Sequence, residues 1–171
     1  TIVAGMYNTI CLPFDVNSTQ LQAIFGSDVE LRQMSSAELN GNELDLNFEA
    51  ATSIYRGTPY LIKTSKTVTN PVFADVEIKE KTGQATPTDK VDFIGSFIKG
   101  EVPAGEDNLF LGQNDMLYFS STATPIKGMR AWFKVKVPNP QHVIQHARIV
   151  TGGQVVTSID LVNGDIVNET V

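Results

Sequence analysis

The sequence predicts an all-β fold, an antiparallel β-sandwich of jelly-roll type with about ten strands and one short helix near residues 18–25. Three observations carry this expectation. Val (17), Ile (13) and Thr (16) are abundant, and such side chains are stiff at χ1 and pack well on a pleated surface. Met129 to Val137 alternates, with Met129, Ala131, Phe133, Val135 and Val137 on one side and Arg130, Trp132, Lys134 and Lys136 on the other, a period of two that buries one face of a sheet. Turn chemistry also separates short apolar runs. Gly112-Gln113-Asn114-Asp115, Gly152-Gly153 and Asn163-Gly164 stand where hairpin connections are expected.

Taken in order, Tyr7 to Phe14 is the first expected strand. The helix follows: Asn17 caps with Gln20 three residues on, Leu21, Ile24 and Phe25 share a face, and Gly26 supplies the stop. In Glu43 to Glu49, Leu44, Leu46 and Phe48 point one way and Glu43, Asp45, Asn47 and Glu49 the other. Asn40-Gly41 before it supplies the positive φ of a tight turn, which implies an incoming strand near Val29 to Leu39. Further strands are expected at Pro59 to Thr64, Val72 to Glu80, Val91 to Ile98, Asn108 to Leu111, Met116 to Ser120, Ala147 to Thr151 and Gln154 to Leu161. Thr82 to Asp89 has no apolar periodicity and is expected as a surface loop, and Pro138-Asn139-Pro140 breaks the chain. The whole is expected to form a single domain, 1–171, with its core in 1–137 and a C-terminal hairpin, 146–171, packed on it or extending toward a missing tail.

Charge and motifs narrow the function. The 13 basic and 19 acidic residues give a net charge of −6 with no basic block, so the electrostatic footprint of a nucleic-acid binder is missing. The longest uninterrupted apolar run is Met116 to Phe119, far short of the roughly 18 residues a membrane-spanning helix needs. The one cysteine, Cys11, makes no intramolecular disulfide, fitting a cytosolic protein or a secreted protein of an anaerobe. It sits in the apolar stretch Ile10 to Phe14 and is expected as an inert buried thiol rather than a nucleophile. The opening at Thr1, without a charged n-region or an apolar h-region, suggests a mature fragment or an excised domain.

His142 and His146 are four apart, but no Glu lies between them and no third His exists; two solvated imidazoles in a loop or short turn are expected. The clusters Glu106-Asp107-Asn108, Asn114-Asp115 and Asn163-Gly164-Asp165 lack the spacing of a calcium loop and are expected as turns. Glu43, Asp45 and Glu49 offer a general acid and base in principle, yet an alternating strand exposes such carboxylates in any case. Neither G-x-S-x-G, G-x-G-x-x-G nor a Walker loop occurs. The sequons at Asn17 and Asn168 are too easily met by chance to use. No catalytic residue, metal site or cofactor is therefore assigned. Aromatic residues are the remaining lead: Trp132 among Arg130 and Lys134, Tyr55 and Tyr60 flanking Arg56-Gly57, and Tyr118 between Leu117 and Phe119. Flat rings beside hydrogen-bonding groups hold sugars; the competing reading packs the same rings into the core.

Ala4 to Val16, Phe25-Gly26, Gly57 to Lys63, Asn70 to Phe73, Phe93 to Phe97, Asn108 to Gly112, Leu117 to Phe119 and Met129 to Phe133 follow in order. That series resembles a β-rich module of secreted and cell-surface proteins of Bacteroidetes-type bacteria, which commonly lies downstream of leucine-rich repeats or adhesin-like domains and before a C-terminal sorting tail. This chain has Met6 and Trp132 where the family usually has a larger aromatic and a tyrosine, and no sorting tail follows Val171. The resemblance implies an extracellular or cell-surface location and a non-enzymatic structural, spacer or adhesion role. The partners it implies are neighbouring domains of a longer chain and a glycan or host surface protein. The alternative is a carbohydrate-binding module of a polysaccharide-utilisation system, with Trp132, Tyr118, Tyr60 and Tyr55 as the ligand-binding candidates.

Overall fold

The computed structural model describes residues 1–79, 84–162 and 165–166. In chain order its elements are β1 (Asn8–Ile10), α1 (Ser18–Phe25), β2 (Glu30–Asn40), β3 (Glu43–Ala51), β4 (Tyr60–Lys63), β5 (Ala85–Pro87), β6 (Val91–Ser96) and β7 (Gly100–Val102). They continue with β8 (Asn108–Leu111), a 3-10 turn (Gln113–Asp115), β9 (Leu117–Phe119), β10 (Thr124–Ile126), β11 (Arg130–Val135), α2 (Pro140–Val143), β12 (His146–Thr151), β13 (Gln154–Val162) and β14 (Asp165–Ile166). The predicted turn Asn163-Gly164 and the sequon at Asn168 lie outside the described residues, as do the outer ends of the 72–80 strand and the 82–89 loop.

The strands form a seven-stranded sheet in the order β1-β4-β2-β3-β12-β13-β14, a five-stranded sheet in the order β5-β6-β11-β8-β9, and a β7–β10 ribbon. The fold is an all-β sandwich, as the alternation predicts. Between the sheets, Leu44, Leu46 and Phe48 of β3 meet Phe93 of β6 and Phe133 of β11. Phe93 and Phe133 stack at 4.5 Å between centroids, and Phe48 stands edge-on to both at 5.8 and 6.3 Å. Edge-to-face and offset-stacked contacts of this kind add to the burial energy of the rings.

A second apolar layer lies on the far face of the larger sheet, where Leu21 and Phe25 of α1 pack with Phe14, Leu31, Tyr60 and Ile62. The helix has the predicted bounds. Asn17 accepts from the Gln20 backbone and the Gln20 side chain reaches back to Asn17, a reciprocal capping box. The strand β4 is consequently buried on both faces, with Tyr60 and Ile62 toward the helix and Leu61 toward the other sheet. In β2 a bulge at Ser35 shifts the register between Met34 and Ser36. The bulge turns Ala37 to the inter-sheet core although it shares parity with Leu31 on the helix side.

Several expectations are corrected. The β2–β3 turn is Gly41-Asn42, one residue later than predicted, with positive φ at Gly41 (65°). Between β3 and β12 the pairing is parallel, from His146↔Glu43 to Thr151↔Phe48, in an otherwise antiparallel sheet. Residues 72–79 form no strand; positive φ at Asn70 and Asp75 interrupts the extended run, and Phe73 instead packs on Phe14 and Phe25. Ala85–Pro87, expected as loop, is an edge strand, where a proline is tolerated. Met129 precedes β11 with φ 60° and is 40 % exposed, off the inward face to which alternation assigned it. Sequence reading missed the ribbon strands β7 and β10 and the helix α2.

The first strand faces two layers. Ile10 and Leu12 point into the helix layer, while Thr9 and Cys11 point at the five-stranded sheet: the Thr9 hydroxyl accepts from the Ala131 amide at 3.0 Å. Cys11 is fully buried, as expected. A β-carbon at Gly95 would lie 2.3 Å from its Sγ and 2.7 Å from its Cβ, so only glycine fits. Gly95→Ala is expected to lower stability by about 1–3 kcal/mol in urea unfolding. Removing the nearest atom in Gly95→Ala/Cys11→Ala should recover part of the loss, giving a coupling above about 0.5 kcal/mol; strict additivity would contradict the contact.

Candidate binding cleft

The strands β11 and β8 pair only at Phe133↔Leu109 and Lys134↔Asn108. Toward the start of β11 they part, and a cleft of about 360 Å³ opens between them, lined by the N-terminal segment, β8, β9, β10 and Arg130-Ala131. One wall is aromatic. Phe110 and Tyr118 are cross-strand partners whose parity turns them away from the core residues Leu109 and Leu117, and their rings stack at 5.6 Å and 26°. The Tyr118 ring crosses Gly112, where a β-carbon would come within 3.1 Å of it. Burial raises the Tyr118 phenol above its ordinary value.

The other wall is cationic. Arg130 donates from Nη1 to the Thr9 carbonyl at 2.7 Å and from Nη2 to the Thr1 carbonyl. Burial lowers the pKa of its guanidinium. Lys127 is exposed at the rim. The 3-10 turn after β8, with Asn114 and Asp115 both at positive φ, brings the Asp115 carboxylate onto the Tyr7 amide and so fastens the turn to the N-terminal segment.

The four aromatic candidates do not converge. Tyr118 is in the cleft. Trp132 is on the outer side of the same sheet, opposite Ile94, half-buried and outside the cleft lining; its indole N–H is buried with no hydrogen-bond partner. Tyr60 is fully buried in the helix-side layer, across the sandwich, and its hydroxyl accepts from the Tyr55 amide at 3.1 Å. It presents no face to a ligand. The Tyr55 ring is 64 % exposed. Sequence reading missed Phe110 and Arg130 as lining residues; the signal was parity, since Phe110 alternates with Leu109 and Leu111 as Tyr118 does with Leu117 and Phe119.

Other groups with chemical potential are engaged in structure. Asp45 takes a two-pronged bond from Arg148, Nε at 2.7 Å and Nη2 at 2.8 Å, and Glu43 pairs with the same guanidinium at 2.5 Å. These contacts cross the parallel β3–β12 junction and raise the Arg148 pKa, with the Asp45 bond as the largest cause. Asp107 pairs with Lys134 at 2.9 Å, and the Asn108 side chain donates to the Pro103 carbonyl. His142 is exposed in α2, whereas His146 is half-buried at the start of β12, not solvated as expected. Among the described residues no three His, Cys, Asp or Glu side chains group to hold a metal, and no helix is long and apolar enough to cross a membrane.

Comparison with family models, with curated proteins and with solved structures finds no match.

The raised Tyr118 phenol has a sign that can be checked. Its neutral form is favoured in the fold, so this contribution to stability is complete below pH 10 and is lost as pH rises through the folded pKa. The difference between the tyrosinate titrations of the native protein and Tyr118→Phe should have its midpoint above 10.0; a midpoint at or below that value would show the ring to be solvated.

Proposed function

We propose that this chain is a non-enzymatic module of a larger secreted or cell-surface protein, with a structural, spacer or adhesion role, and that it makes contact through the cleft beside β1. The observation that carries this reading is the composition of the cleft. Its walls offer a stacked aromatic pair and hydrogen-bond donors, and among the described residues no Asp or Glu lines it. Stacking and hydrogen bonding are means of holding a ligand. Glycoside hydrolysis, by contrast, takes two carboxylates flanking the bond to be cut, and Asp45, the least exposed carboxylate of the outward row on β3, is taken up by Arg148. The resemblance to surface modules of Bacteroidetes-type bacteria supports the location and the role, with neighbouring domains as the constant partners.

The Phe110–Tyr118 stack favours the carbohydrate-binding form of the reading, since a sugar ring lies well on a flat aromatic face beside polar groups. The residue expected to carry it is Tyr118 rather than Trp132. On a panel of immobilised glycans, Tyr118→Ala should weaken the bound signal about tenfold, equivalent to about 1.4 kcal/mol, under conditions where its melting curve shows it folded. Trp132→Ala should instead lose about 2–4 kcal/mol of stability and retain binding under conditions where it is folded. A folded Trp132→Ala protein that loses glycan binding while Tyr118→Ala keeps it would move the site out of the cleft to the surface around Trp132.

A further inference from the structure

We infer that the cleft selects an acidic saccharide, with a sugar carboxylate against Arg130 and Lys127 and the ring on the Phe110–Tyr118 stack. The inference rests on the carbohydrate-binding reading and specifies its ligand class. Its basis is a local reversal of charge. The chain carries a net charge of −6, yet among the described residues the cleft is lined by two cationic side chains and no carboxylate.

Five cations elsewhere are paired, Arg32 with Glu30, Lys79 with Glu77, Lys134 with Asp107, Lys136 with Asp92 and Arg148 with Asp45, while Lys63, Lys66, Lys90 and Lys99 have no ion pair among the described residues and lie outside the cleft lining. Among the described residues neither Arg130 nor Lys127 has an acidic partner. Asp115, next in the chain to the lining turn, has its carboxylate on the Tyr7 amide.

Arg130 is the more informative of the two cations. A guanidinium is always charged and removing it from water is costly unless an anion compensates. Here its partners are two backbone carbonyls, of Thr9 and Thr1, which use two of its five N–H donors. The remaining donors suit the planar oxygens of a carboxylate, for which arginine has matching geometry. The Tyr118 hydroxyl and the Gln113 amide, also on residues that line the cleft, have no hydrogen-bond partner among the described residues. They can serve the hydroxyls of the same ring. A volume of about 360 Å³ falls in the range of small-ligand pockets, roughly 300–1,000 Å³.

The test is a glycan panel that pairs uronate- and sialate-containing oligosaccharides with neutral oligosaccharides of matched length, followed by calorimetry on the strongest binder. Acidic members should bind at least about tenfold more tightly than their neutral counterparts, and added salt should narrow the gap. Lys127→Gln should reduce acidic binding several-fold and leave the neutral signal unchanged. Because Arg130 also holds the N-terminal segment, Arg130→Lys is used in place of a neutral variant, with its melting temperature measured alongside. It keeps the charge but not the fork, and should weaken acidic binding in a folded protein. If neutral glycans bind through Tyr118 and acidic ones bind no better, the acidic selectivity is overturned and the carbohydrate reading stands. If acidic binding is indifferent to both Lys127→Gln and Arg130→Lys, the assignment to this cleft is overturned. If no glycan of either kind binds, both readings fall.

Discussion

Cys11 lies against Gly95 with no room for a β-carbon between them, and the placement of β1 follows from that contact. The strand belongs to the larger sheet through its pairing with β4, from Asn8↔Ile62 to Ile10↔Tyr60. Its odd-numbered side chains reach across to the smaller sheet, where Thr9 meets Ala131 and the Cys11 amide donates to the Met129 carbonyl at 3.2 Å. Alternate side chains of a strand point to opposite faces, so one short strand ties together the helix layer, the seven-stranded sheet and the start of β11. The cleft is a by-product of the same arrangement. With β1 holding the beginning of β11, that strand leaves β8 after two paired residues, and the opening is lined by whatever both strands present there.

Legibility in the sequence followed the strength of local pattern. The helix was legible to the residue because its signals are local: a reciprocal Asn17–Gln20 cap, one apolar stripe and a stop at Gly26. The strands at 43–51, 91–96 and 130–135 were legible because one of their faces is buried and alternation records it, whereas 108–111, buried at three successive residues, was legible as a short apolar run closed by turn residues. Three-residue strands such as β7 and β10 carry no period to detect; they exist because each has the other to pair with. The parallel β3–β12 pairing joins segments about a hundred residues apart in the chain, and no turn residue between them announces it. Val72 to Ile78 shows the opposite failure, an apolar run that joins no ladder: Phe73 and Val76 pack on the helix layer, while Val72 and Ile78 are exposed.

The candidate site was legible in part and for the same reason. Tyr118 stood out as an aromatic between two inward-facing residues, and parity placed it correctly on the outer side. Tyr60 is singled out in the sequence by its place beside Arg56-Gly57, a local signal that does not record the core on each side of β4. Trp132 was judged by parity alone, but its exposure depends on what lies over the sheet, which strand pattern does not record. Arg130 looked like an ordinary solvent-facing base in an alternating strand. Its significance comes from the distant Thr9 and Thr1 carbonyls that hold it and from the lack of an acid nearby among the described residues.

The parallel junction also bears on how the molecule assembles. The strands β2 and β3 can pair as soon as their hairpin turn forms, but β12 must find β3 across an intervening chain that contains all five strands of the opposite sheet. Closing so long a loop costs entropy before the new contacts repay it. The Arg148 fork to Asp45 then acts as a late fastening, since it is made only when both strands are side by side in register. On this topology the last strands to enter the large sheet are the last in the chain, and a polypeptide emerging from the ribosome would hold an unfinished edge at β3 until residues 146–151 arrived.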